Sequence, residues 1–233
     1  MKKILLVIMA IQFLTLHAAI PASAQEARPD EMDRLARHAF PEPIILIDAG
    51  HGGIDGGTSF KEILEKDINL DISRKLYLIL KAKGYRAVLN RSEDYALSDD
   101  NHWLKSRSRH MRDLAQRKAL SDELTTSIVV SVHVNWGRNN AKRGPVVLHQ
   151  NEGRSALLAS AIQNALDPLY NTRTWPMLGK PFYLLNHVAY PAVIVETGYL
   201  SNAQDRAMLT RSKGQMEIAK AIAAGIMDYF TEI

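Results

Sequence analysis

The stretch Ile44-Ile45-Leu46-Ile47-Asp48-Ala49-Gly50-His51-Gly52-Gly53 decides how the rest of the chain is read. Residues 44–48 are apolar and β-branched enough for a strand buried on both faces. A histidine wrapped in glycine follows. A core histidine gains nothing from bare backbone around it. A histidine that must meet an ion or a substrate does, because glycine permits sharp turns and close approach. The glycines do not make a phosphate cradle, since no Gly-Lys-Ser/Thr follows them.

Outward from this strand, apolar runs alternate in type. Residues 67–83 place Ile68, Ile72, Leu76, Ile79 and Leu80 at helical spacing, and Gly84 stops them. Strands are expected at 86–90, 128–133, 145–148, 182–185 and 192–195. Helices are expected at 107–120, 155–169, 203–210 and 216–230. The alternation predicts an α/β fold: a single-domain sandwich with a central mixed, largely parallel sheet flanked by helices. Residues 92–106, rich in Ser, Asp and Asn, read as a long surface loop.

The chain of 233 residues is 46% hydrophobic, enough for one domain with a sizeable core. It has no cysteine, so disulfides and thiolate metal sites are excluded. Lys2 and Lys3, an apolar run to Leu16, Pro21 and Ala22-Ser23-Ala24 form the pattern of a secretory signal peptide over residues 1–24. An uncleaved leader would instead tether the protein to a membrane. Residues 25–43 read as a linker or N-terminal arm, and 44–233 as the catalytic domain. Loss of the leader lowers the formal charge from +4 to +2, a bias too weak to call for nucleic acid.

Ligands of such sheets sit beyond the carboxyl ends of the strands. His51, His133 and Glu196 fall there, and Glu65 opens the first helix 14 residues past His51. A one-zinc hydrolase needs three protein ligands, an open position and a proton carrier. Each residue has a plainer reading too. His133 suits a strand end, Glu65 a helix N-terminus, and Glu196 a turn brace. Glu62 competes with Glu65.

Residues 48–57 (DAGHGGIDGG), 64–70 (LEKDINL), 131–136 (SVHVNW) and 191–202 (PAVIVETGYLSN) together resemble the zinc-dependent N-acetylmuramoyl-L-alanine amidases of the Amidase_3 type. The likeness runs from Ile44 to the C-terminus. It implies zinc ligands at His51, Glu65 and His133 and a catalytic glutamate at Glu196. It implies cleavage of the amide between muramic acid and the L-alanine of the peptidoglycan stem peptide. Ala49 and Tyr199 depart from residues common in the family, but neither is a ligand. The middle loop and single domain resemble the germination amidases of spore-forming bacteria. That implies export across the cytoplasmic membrane, action in the cell wall or forespore intermembrane space, and a role in cortex maturation through muramic-δ-lactam. Asn135, Trp136, Arg91 and Arg117 are candidate substrate contacts. An activating or localising protein partner is the further expectation, and a non-catalytic peptidoglycan-binding regulator the alternative.

Overall fold

The computed structural model describes residues 44–124 and 126–232. The expected leader and arm lie outside these residues. Among the described residues no helix is long and apolar enough to cross a membrane.

Strand β1 (Ile44–Ala49) is followed by a two-stranded hairpin, β2 (Ser59–Phe60) and β3 (Ile63–Leu64). Helix α1 (Glu65–Ala82) leads to β4 (Arg86–Leu89), and α2 (Arg109–Glu123) to β5 (Thr126–Asn135). Then come β6 (Val146–His149), α3 (Gly153–Tyr170), β7 (Met177–Leu178), α4 (Tyr183–His187), β8 (Ala192–Tyr199), α5 (Ala203–Leu209) and α6 (Ser212–Glu232). The sheet order is β4-β1-β5-β8-β6-β7. Only the β6–β8 pair is antiparallel.

Alternation along the strands sends side chains to two unequal cores. Ile45, Ile47, Val130, Val132, Val193 and Val195 pack with α1, α3 and α6 in the larger one. Leu46, Val129, Ala192 and Ile194 pack with α4 in the smaller, with Leu120 of α2 against it. Asp48, Ser131, His133 and Glu196 share the parity of this second face. From β1 the chain crosses to β4 on one side, then returns to place β5 on the other. This reversal makes the carboxyl ends of β1 and β5 the switch point where open α/β sheets hold ligands.

Residues 182–185, expected as a strand, begin helix α4 instead. Leu184 and Leu185 both bury into the smaller core, and a four-residue apolar run fits either form. The 92–106 loop is less free than its polarity suggests. Ala96 and Leu97 are buried, and the Ser98 amide donates to Asp113 of α2 at 3.2 Å.

Candidate metal and catalytic site

The loop after β1 is held from below. Arg117 donates from Nε to Asp113 (2.6 Å), from Nη1 to Asp48 (2.6 Å) and the Ala49 carbonyl (3.0 Å), and from Nη2 to the His51 carbonyl (2.8 Å). Arg91 donates to the carbonyls of Ala49, Gly50, Lys66 and Glu93. Both arginines are buried. The expectation that they touch stem-peptide carboxylates is therefore corrected: their guanidinium groups serve the loop. Burial raises the Asp48 carboxyl, but the Arg117 charge and the Ser131 hydroxyl outweigh it and hold the carboxyl below its usual range.

So braced, the loop turns steeply, with His51 itself in the left-handed region at φ 60°. Gly57 (φ 66°) matters most for packing, because a Cβ there would lie 2.5 Å from Glu65 Oε2 and 2.7 Å from His51 Cδ2. A Cβ on Gly50 would strike the His133 ring at 2.4 Å. These glycines give the imidazoles room.

Glu65 is the centre of the cluster. The N-terminus of α1 points its carboxylate across the end of β5. Its Oε1 lies 3.3 Å from His51 Nε2 and 2.9 Å from His133 Nδ1, and accepts the Val134 amide at 3.0 Å. Its Oε2 accepts the Thr58 amide at 2.8 Å. Burial opposes the charge, but the hydrogen bonds from His133 and His51 keep Glu65 ionised far below the ordinary carboxylate range. Burial also works against a charged His51 ring. Glu65 and then Asp55 overcome it and raise the ring to about 9. A metal ligating that ring displaces its proton. Glu62, the rival carboxylate, is exposed on the β2–β3 turn.

Asp55 was missed in the sequence. Its Oδ2 stands 3.0 Å from His51 Nδ1, the nitrogen that faces away from Glu65. A carboxylate there fixes the ring's orientation, as outer partners of metal-ligating histidines do. The signal was present four residues past His51, inside a glycine run read only for its backbone.

One donor atom each from His51, Glu65 and His133 lies within 4.8 Å of the others. Two nitrogens and one oxygen, without sulfur, suit zinc and leave a fourth position for water. Glu196 pairs in register with His133 across β5 and β8. Its Oε2 is buried with no hydrogen-bond partner in the protein, a costly arrangement unless something else binds there. Burial raises its carboxyl and the nearby Glu65 charge adds to this, against the pull of His133 and His51. The residues present therefore fit the ion and an adjoining water.

All four residues line a cleft of about 720 Å³ whose walls include Met111 and Leu114 of α2 and Phe182 and Leu184 of α4. Asn135 and Trp136, the candidate substrate contacts, also line it. His187, at the end of α4, lines it too. Its ring stacks on Tyr183 at 4.0 Å.

An α/β sheet carrying this donor set at its switch point defines a class, the hydrolases built around histidine and carboxylate ligands. The chain belongs to one family within it, the N-acetylmuramoyl-L-alanine amidases of Amidase_3, whose profile matches residues 45–228. It is 31% identical over 191 residues to the germination-specific N-acetylmuramoyl-L-alanine amidase of Bacillus subtilis, covering 81% of this chain and 80% of that one. The CwlD amidase of Clostridioides difficile, solved in complex with the GerS lipoprotein, superposes with a TM-score of 0.77 at 30% identity. That match covers 82% of this chain and all of the other. The catalytic domain of CwlV, an amidase of Paenibacillus polymyxa, matches with a TM-score of 0.69 at 30% identity, over 81% of this chain and 98% of that domain.

Proposed function

We propose that this peptidoglycan amidase is a zinc enzyme that cleaves the bond between the lactyl carbonyl of N-acetylmuramic acid and L-alanine. His51, Glu65 and His133 hold the ion in this reading. The observation that carries it is the unpartnered buried Oε2 of Glu196 beside that donor set. Bound zinc supplies a Lewis acid that acidifies water and polarises a carbonyl.

The remaining work belongs to the chain. Glu196 accepts a proton from the attacking water, a role favoured by the burial that raises its carboxyl. It returns that proton to the alanine nitrogen as the C–N bond breaks. One water is consumed, and a lactyl carboxylate and a protonated alanine amine result. Asp55 orients His51, while Arg117 and Arg91 hold the loop that presents it. The cleft walls exclude bulk water from one side of the reacting amide.

The finer reading rests on likeness. Similarity to a germination-specific amidase and to CwlD supports action on spore cortex, where stem-peptide removal precedes muramic-δ-lactam. It also supports an exported enzyme whose leader is residues 1–24. The neighbour solved with a lipoprotein supports a protein partner that activates or localises this one. Incubating the protein with cortex and with vegetative peptidoglycan tests the substrate. Faster stem-peptide release from cortex is expected, and a preference for vegetative wall would overturn the spore assignment.

A further inference from the structure

The cleft raises a question of grip. The stem peptide is rich in carboxylates, yet the only lysine or arginine among the described lining residues is Arg117, and its guanidinium is already committed to Asp113, Asp48 and loop carbonyls. The acids lining the cleft are Asp55, Glu65, Asp113 and Glu196. No uncommitted lysine or arginine is among the described lining residues, though Arg109 lies close enough to Asp55 to lower its carboxyl.

What it offers instead is an exposed aromatic surface. Trp136 is 45% exposed, although indole is among the most apolar side chains. It lies three residues past His133, one beyond the end of the strand that carries that donor. Its backbone is fixed on both sides. The Trp136 amide donates to Asn135 Oδ1 at 2.7 Å, and the Gly137 amide donates to Ser201 Oγ at 3.1 Å. The Leu200 amide also donates to the Asn135 carbonyl at 2.9 Å, tying the end of β5 to β8. A partly exposed flat ring on pinned backbone is pre-organised to bind. Phe182, also partly exposed, lines the same cleft.

We propose that Trp136 is a specificity-determining residue that stacks on a sugar ring of the glycan strand neighbouring the muramic acid whose stem peptide is cut, so that the enzyme recognises the sugar backbone beyond that muramic acid in addition to the stem peptide. A sugar ring is neutral, with an apolar C–H face that fits an indole and hydroxyl groups left to solvent. Such a platform suits a cleft whose described lining residues include no uncommitted lysine or arginine. The inference rests on the amidase reading for its place in the reaction, but the contact itself needs no turnover.

Two measurements test it. Calorimetry with glycan oligomers stripped of stem peptides should show binding to the wild-type protein. The Trp136→Ala variant should weaken that binding about three- to ten-fold, the range of one aromatic contact, and Trp136→Phe should restore most of it. Steady-state kinetics should show the same rise in KM for intact glycan strands and no change for a single N-acetylmuramoyl tripeptide. Unaltered zinc content and melting temperature would establish that the variants fold. Equal losses on strand and tripeptide, or no effect of Trp136→Ala on glycan binding, would overturn the proposal. Glycan binding lost in Trp136→Ala, with the wild type cutting only within the stem peptide, would uphold the subsite and overturn the amidase reading instead.

Discussion

In the proposed mechanism Glu196 carries the proton, and its surroundings make that role measurable. It is buried, close to Glu65, and has one oxygen unpartnered. Replacing it with glutamine keeps the shape and removes the proton carrier. Glu196→Gln should lower kcat about 100- to 10,000-fold while zinc content stays at the wild-type level. Near-native turnover would remove Glu196 from the mechanism. His133→Ala should act differently, because it takes away a donor. Zinc saturating the wild-type site 100-fold over its Kd should add about 2.7 kcal/mol of stability, seen as a rise in melting temperature. His133→Ala should lose that rise, and an equal rise in the variant would show that the ion binds elsewhere. At this scale the four main residues were legible because motif blocks surround them. Asp55 was not, because a second carboxylate near a histidine acquires meaning only when the ring's two nitrogens are seen to face different partners.

Between elements, Arg117 joins the end of β1 to helix α2 and to the His51 loop. One side chain satisfies Asp113 on its own helix, Asp48 on the strand and two loop carbonyls. Arg117→Met should cost about 3–5 kcal/mol, since it strands buried carboxylates. Chemical unfolding at neutral pH measures this, and a loss below 1 kcal/mol would show that the network is dispensable. The pair also sets a pH dependence. The folded Asp48 carboxyl lies below its unfolded value of about 3.9. Its stabilising contribution is therefore present above about pH 4 and lost as pH falls through the lower folded value. Unfolding curves from pH 6 to pH 2 should show that loss in the wild type; in Arg117→Met, where burial is left to raise the carboxyl, the acid loss from Asp48 should shrink or reverse in sign. In sequence, Arg117 could be read either as a contact for stem-peptide carboxylates or as one half of an ion pair. Its true partners lie 66 to 69 positions away for the loop and strand, a separation that local pattern does not reveal. The same limit turned residues 182–185 into a strand: a short apolar run carries no period, and only packing against Val129 and Ile194 in the smaller core distinguishes α4.

For the molecule as a whole, alternating runs predicted an α/β sandwich, and the six-stranded sheet agrees. The strand order, the antiparallel β6 and the two-residue β7 were beyond reach, because hydrophobic pattern marks burial but not neighbours. The switch point between β1 and β5 follows from that order, and it explains why residues scattered from 51 to 196 meet in one cleft. The central claim is that this cleft, loaded with zinc, releases whole stem peptides from muramic acid. Mass spectrometry of purified peptidoglycan after incubation with the protein, with added zinc and with chelator, tests it most directly. The expected result is free stem peptide with an N-terminal alanine, present with zinc and absent with chelator. Fragments cut within the peptide, or release unaffected by chelation, would contradict it.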